Sequence, residues 1–95
     1  MATWAIARRK TPDEIKKGAN REKREWFERY DELNDIVYFT HGLYNFAKMF
    51  VSEQEAEDCI KILYKNKQIA EENLKLRKIY GEDYNVINIV KCVGG

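Results

Sequence analysis

Few side chains in this 95-residue sequence are of the types that perform nucleophilic catalysis. Its one serine is Ser52 and its one histidine is His41. A catalytic nucleophile requires a base beside it, in turn oriented by a third group. Ser52 instead begins the pattern Ser-Glu-Gln-Glu, a capping box in which Glu55 takes the third helical position, and His41 precedes a glycine in a predicted turn. We therefore expect that the protein is not an enzyme and has no catalytic residue.

Metal and cofactor sites are also not indicated by the spacing of possible ligands. The two cysteines, Cys59 and Cys92, are too few and too far apart for a disulfide framework or a zinc site, and we expect them to be reduced structural thiols. A group of acids follows Ser52, in the first turns of a predicted helix where the macrodipole favours negative charge: Glu53, Glu55, Glu57 and Asp58. No glycine-rich phosphate loop is present. We expect no metal and no cofactor.

The elements that position these residues alternate between strand and helix patterns. "TWAIARR" predicts a first strand, and "TPDE" begins a helix that an apolar stripe extends to Leu33. "DIVYFT" and "LYNFAKMF" predict two strands joined at His41-Gly42, although a helical pattern also fits the second. A helix from Ser52 to Tyr80 and a last strand in "YNVINIVKCV" follow. This order predicts an α+β, ferredoxin-like βαββαβ fold: a four-stranded, mostly antiparallel sheet with two helices on one face.

The helix from Ser52 to Tyr80 would be roughly 43 Å long, which is more than a domain of this size needs. Besides its main apolar face it has a second stripe that includes Ile62, Ile69 and Leu76. This stripe could bind a partner protein, or it could pair the long second helices of a homodimer. Alternatively, one stripe packs on the sheet and the other on the first helix.

Composition and charge limit the class of protein. Residues 1–95 are long enough for a single domain, and 44% hydrophobic and 35% charged residues are typical of a globular chain. No apolar run is long enough to span a membrane, and the first ten residues do not resemble a secretory signal, so we expect a cytoplasmic protein. The net charge of +1 hides a basic-acidic-basic order: residues 31–60 have one base and seven acids, a balance of −6.

A second set of residues could bind nucleic acid. Exposed aromatic rings on an open sheet stack on unpaired bases, and neighbouring cations contact phosphates. In the predicted sheet this set is Trp4, Arg8, Arg9, Lys10, Tyr44, Phe46 and Lys48. The alternative is that the rings pack beneath the helices as core residues. The alternation in "LYNFAKMF" places Lys48 on the side of Tyr44 and Phe46, which favours exposure without deciding between the two.

The segment from Trp26 to Leu63 resembles the RNA-recognition motif. "WFERYDELNDI" is similar to the end of that family's first helix, with Asp31 where the family has a turn glycine. The resemblance implies that Tyr44 and Phe46 take its two stacking positions, that Trp4 replaces its first-strand aromatic, and that Ala56 is its helix alanine. It implies an RNA-binding module.

A broader resemblance covers "WAI", "AKMFVSEQEAE" and "YNVINIV". These segments look like those of short accessory proteins of bacteriophages and other mobile elements, a group that includes anti-CRISPR and other anti-defence proteins. That resemblance implies an inhibitor or modulator that binds the surface of a host protein or ribonucleoprotein complex. It implies no binding to a membrane. The acidic residues Glu53 to Asp58 and the second stripe are its candidate contact surfaces, and RNA binding is the alternative function.

Overall fold

The computed structural model describes residues 2–8, 25–41 and 46–93. In chain order these contain three strands, two helices and a last strand: β1 (Ala2–Arg8), β2 (Glu25–Asp31), β3 (Ile36–Thr40), α1 (Glu53–Leu63), α2 (Lys67–Tyr80) and β4 (Ile87–Val93). The strand order across the sheet is β3-β2-β1-β4, and each neighbouring pair is antiparallel. The predicted α+β class with a four-stranded antiparallel sheet is confirmed.

The ferredoxin-like order of elements is not confirmed. The predicted helix that begins at Thr11 falls mostly on residues 9–24, which lie outside the described residues. Its last part is wrong, because Glu25–Asp31 is strand β2, paired with β1 at Ala7–Trp26 and with β3 from Trp26–Thr40 to Asp31–Ile36. A short aromatic-rich segment fits both the helical and the strand periodicity. Here the pairing with two neighbouring strands selects the strand.

The predicted third strand is also wrong in its described part. Residues 42–45 lie outside the described residues, residues 46–49 are not in a strand, and Phe50 forms an isolated bridge with Trp4. This segment fills the gap where β1 and β2 diverge. The Lys48 amide donates to the Phe27 carbonyl at 2.8 Å, and Phe50 and Trp4 exchange two main-chain bonds of 2.7 and 3.0 Å. The turn of the observed hairpin is at residues 32–35, rather than at His41-Gly42.

The single long helix predicted after Ser52 is two helices with a break at residues 64–66. Ser52 caps α1 as predicted, accepting a bond from the Glu55 amide at 3.2 Å. Asn66 caps α2 by accepting from the Ile69 amide at 3.0 Å. Asparagine is one of the preferred residues for a helix N-cap, and its side chain replaces the helical bonds that the break removes.

Both helices pack on the same face of the sheet. Ala56 and Leu63 of α1 and Ile69 of α2 belong to one buried cluster with Ile6 and Phe27 of the sheet. A smaller cluster lies on the opposite face and contains Ala5, Ala7, Trp26 and Cys92, with Ala47 and Val90 against it. The sheet therefore has buried apolar side chains on both faces, which limits the surface that either face can offer to a ligand.

Candidate functional site

Three large apolar side chains are exposed in the segment immediately before α1. Phe46 is 67% exposed, Met49 36% and Val51 75%. We call Phe46, Met49 and Val51 the apolar segment. Its backbone is held by the bonds of Lys48 to β2 and of Phe50 to β1, and the Phe50 side chain is buried in the main cluster. The segment is thus attached to the sheet at two points while its remaining apolar side chains contact solvent.

The acidic residues predicted as a contact surface directly follow the apolar segment. Glu53, Glu55, Glu57 and Asp58 are all exposed on the first turns of α1, and we call them the acidic helix start. The helix macrodipole favours acids at this position, which gives these residues a structural reason as well. Among the described residues, Asp58 is the only one of these four acids with a side-chain hydrogen-bond partner. Gln54 Nε2 donates to Asp58 Oδ1 at 3.0 Å. The carboxylates remain accessible to a partner.

The second stripe of the predicted long helix is not a surface. Ile62 is 44% exposed, but Ile69 is 5% exposed and belongs to the main buried cluster, and Leu76 packs against the same cluster. The break between α1 and α2 places these residues on two helices, which removes the geometric basis for a continuous stripe. It also removes the long helix on which the predicted homodimer depended.

The nucleic-acid candidates are not brought together on one open face. Trp4 is half-buried and packs against the main cluster beneath the helices. Arg8 is paired with Glu25 at 3.0 Å and with Glu72 at 2.5 Å, so its charge is already compensated. Arg9, Lys10 and Tyr44 lie outside the described residues. Phe46 and Lys48 are exposed, and the Lys48 ammonium lies 6.0 Å from the centre of the Phe50 ring.

Among the groups capable of chemistry, the serine has a structural role and burial raises the pKa of both thiols. The Ser52 hydroxyl caps α1, and His41 is exposed in the bend after β3. Burial raises the pKa of the thiols of Cys59 and Cys92, which disfavours their nucleophilic thiolate forms. Within residues 2–8, 25–41 and 46–93, no group of three His, Cys, Asp or Glu residues could hold a metal ion.

One open depression lies at the C-terminal end of α2, lined by Leu74, Arg77, Lys78, Glu82 and Asp83. Arg77 is engaged in the fold, because its Nε donates to the Tyr84 carbonyl at 2.8 Å and its guanidinium to Asn85 Oδ1 at 2.7 Å. These bonds hold the loop that leads from α2 to β4. Arg77 is therefore a structural residue of this depression rather than a cation that is free to bind a ligand.

The sequence reasoning missed Met49 and Val51 as exposed residues. The signal was present: Met49, Phe50 and Val51 are three consecutive apolar residues directly before a helix cap. A chain that enters a helix from a single bridge can bury only some of three consecutive side chains, and here Phe50 is the buried one. The other two, Met49 and Val51, remain exposed, as does Phe46.

A scan against protein-family models, a search of curated proteins and a search of solved structures each returned no match. No helix in the described part of the chain is long and apolar enough to cross a membrane. The function is therefore inferred from the chemistry of the surface, and above all from the position of the apolar segment immediately before the acidic helix start in the chain.

Proposed function

We propose that this protein is a non-catalytic binding module that acts through a protein–protein interface. The interface is the apolar segment together with the acidic helix start. The observation that carries the proposal is that Phe46, Met49 and Val51 are exposed within residues 46–51, and that four exposed carboxylates follow directly after Ser52. The partner is a protein or ribonucleoprotein surface with an apolar pocket inside a basic rim, such as a site that normally receives nucleic acid.

The apolar side chains supply the affinity of this interface. Apolar groups exposed close together on a small protein often mark an interaction site, and aromatic and methionine side chains are enriched at the centres of such sites. The main-chain bonds at Lys48 and Phe50 hold the segment in place before binding. A pre-ordered segment loses less conformational entropy on binding, so more of the contact energy contributes to affinity.

The carboxylates supply attraction to a basic surface and discrimination against an acidic one. Glu53, Glu55, Glu57 and Asp58 belong to the central third of the sequence, whose charge balance is −6. Complementary charges at the edge of an interface mainly increase the association rate and make it dependent on salt. A protein that presents acids in this way competes with nucleic acid for a basic site, which is the mode of action proposed for an inhibitor of phage type. The free thiols of Cys59 and Cys92 are compatible with the proposed cytoplasmic setting.

The test is a quantitative pull-down from bacterial lysate with the wild-type protein and matched variants as bait. Phe46→Ser with Val51→Ser removes exposed apolar area, and Glu53→Lys with Glu57→Lys reverses part of the acidic charge. The control is Leu74→Ser, because Leu74 is 61% exposed on α2 and outside the proposed interface. We expect a partner that the wild type and the control retain, that both site variants lose, and that excess nucleic acid displaces. A partner retained equally by all four proteins would contradict the proposed site.

RNA binding is the second candidate function, and the exposed pair Phe46 and Lys48 is the observation that favours it. One stacked base contributes about 1–3 kcal/mol, and the lysine would contact a phosphate. Fluorescence anisotropy with labelled single-stranded RNA at low and moderate salt separates the two functions. Salt-sensitive binding that Phe46→Ala and Lys48→Ala both weaken would favour RNA as the partner. No binding at low salt would leave the protein interface as the remaining function.

A further inference from the structure

Strand β4 lies at one edge of the sheet, and its outer side pairs with no strand within the described residues. On its inner side it pairs with β1 at seven consecutive positions, from Ala2–Val93 to Arg8–Ile87, without a register shift. The strand at the other edge, β3, has five residues and belongs to a ladder with a shift between Phe27 and Arg29. Short strands, bulges and edge lysines all protect sheet edges from pairing with other chains; β4 lacks the first two and has a lysine at one position, Lys91.

The hydrogen bonds of Trp4 determine which main-chain groups of β4 face outward. Trp4 exchanges both its main-chain bonds with Phe50, on the side of β1 away from β4. Successive residues of a strand direct their amide and carbonyl groups to opposite sides, so Thr3, Ala5 and Ala7 are the residues bonded to β4. Their partners are Cys92, Val90 and Asn88. The amides and carbonyls of Ile87, Ile89 and Lys91 are therefore directed towards the outer edge.

We propose that this outer edge pairs with the same edge of a second copy of the chain. The two β4 strands lie antiparallel about a two-fold axis at Val90, which joins two four-stranded sheets into one of eight strands. In this register Ile89 of each copy is opposite Lys91 of the other, and these residues exchange main-chain bonds. The proposal concerns a surface separate from the apolar segment and the acidic helix start, and it does not depend on the proposed function.

The side chains of β4 favour a second copy as the occupant. Like charges directly opposite each other on adjacent strands are destabilising. Lys91 is the one charged residue of the strand, and antiparallel pairing about Val90 places it opposite isoleucine rather than opposite itself. The net charge of the chain is +1, so two copies repel each other little. An interface of one strand pair is smaller than the roughly 1,600 Å² of a typical stable complex, so we expect weak, concentration-dependent association.

The first test is sedimentation of the full chain over a wide concentration range, with two variants of Lys91. Lys91→Pro removes an amide donor from the outer side and leaves the ladder to β1 intact, because proline is tolerated in edge strands where its nitrogen faces solvent. Lys91→Ala removes the same exposed side chain and keeps the donor. We expect the wild type and Lys91→Ala to dimerise, and Lys91→Pro to associate at least about tenfold more weakly.

A cross-link tests the register without relying on the fold of the proline variant. The two Val90 residues form a non-hydrogen-bonded pair, in which Cα atoms are about 4.5 Å apart, a distance compatible with a disulfide. We expect Val90→Cys to form a disulfide dimer under mild oxidation. The wild-type protein, which has Cys92 on the same strand, is the control, and we expect it to form no disulfide dimer. A wild type that stays monomeric at millimolar concentration would overturn the proposal. It would do so even if the edge of the monomer bound an extended peptide of another protein. A dimer that Lys91→Pro leaves unchanged, with no Val90→Cys cross-link, would also overturn it.

Discussion

Asn66 Nδ2 donates to both the main-chain oxygen and Oδ1 of Asp35, each at 2.8 Å, and so connects the break between the helices to the turn between β2 and β3. Asn66 is 1% exposed, and its Oδ1 accepts from the amide of Ile69. Asp35 has φ of 54°, in the left-handed region, where asparagine and aspartate are the common non-glycine residues. One side chain therefore caps α2 and fixes the hairpin turn.

We expect Asn66→Ala to destabilise the protein by about 2–3 kcal/mol, because it removes a helix cap, leaves the buried Ile69 amide without its acceptor, and removes both bonds to Asp35. The matched control is Ser52→Ala at the cap of α1. Ser52 accepts one bond, from Glu55, and is less buried, so its loss should cost about 1 kcal/mol. Urea denaturation of both variants measures the difference. Equal losses of stability would show that the contact with Asp35 contributes nothing.

The same turn predicts a pH dependence. The hydroxyl of Tyr30 donates to Asp35 Oδ1 at 2.5 Å, and this bond, followed by the bond from Asn66, lowers the pKa of the Asp35 carboxyl. Because the pKa is depressed in the folded state, the carboxylate contributes stability above its unfolded pKa of about 3.9, and this contribution is lost as the pH falls through the folded-state pKa.

We therefore expect Tyr30→Phe to lower the urea midpoint at pH 7, and the difference from the wild type to decrease as the pH falls below about 4. Asp35→Asn is the control background, since asparagine tolerates the backbone conformation and does not titrate. In that background the effect of Tyr30→Phe should not vary with pH over the same range. A difference that stays constant from pH 7 to pH 2 in the wild-type background would refute the assignment to Asp35.

Gly81 ends α2 with φ of 114° and ψ of 161°, a conformation that is essentially restricted to glycine. Nothing lies within 4 Å of the position that a Cβ would occupy, so the cost of a side chain arises from the backbone alone. We expect Gly81→Ala and Gly81→Asn to destabilise the protein by a similar amount, about 1–3 kcal/mol. Asparagine favours a left-handed helical residue with ψ near 47°, so a clear advantage of asparagine in thermal unfolding would contradict the observed conformation.

Local signals were predicted correctly, because the interactions that produce them lie within a few residues. The Ser52 cap with Glu55 and the helix end at Tyr80 are of this kind. The acidic helix start was predicted as exposed for the same reason. These features depend on the identity of one residue and on the helix that follows it.

The errors concern segments whose local pattern fits two structures. Trp26 and Tyr30 are spaced for a helical face and also suit a strand, and pairing with Ala7 and Val37 selects the strand. The stripe with Ile69 was predicted as a contact surface of one long helix, with packing as the alternative. The helix instead breaks at Asn66, and Ile69 is buried in the main cluster. Contacts between residues far apart in the sequence decided both cases, and no pattern within one segment contains them.

Arg8 gives the last prediction, since the sequence assigned it to phosphate binding and the structure gives it two internal carboxylate partners. Its guanidinium connects β1 to Glu25 of β2 at 3.0 Å and to Glu72 of α2 at 2.5 Å, with all three side chains about a quarter to a third exposed. We expect Arg8→Met to destabilise the protein by about 1–3 kcal/mol, because it leaves two partly buried carboxylates without a counter-charge. A double-mutant cycle with Glu72→Gln should give a coupling energy of about 0.5–3 kcal/mol. The control is Lys75→Met, because Lys75 is an exposed cation on the same helix as Glu72, and this change should alter stability by less than about 0.5 kcal/mol. If Arg8→Met instead left the urea midpoint unchanged and reduced the affinity for single-stranded RNA, the arginine would be a ligand residue rather than a structural one.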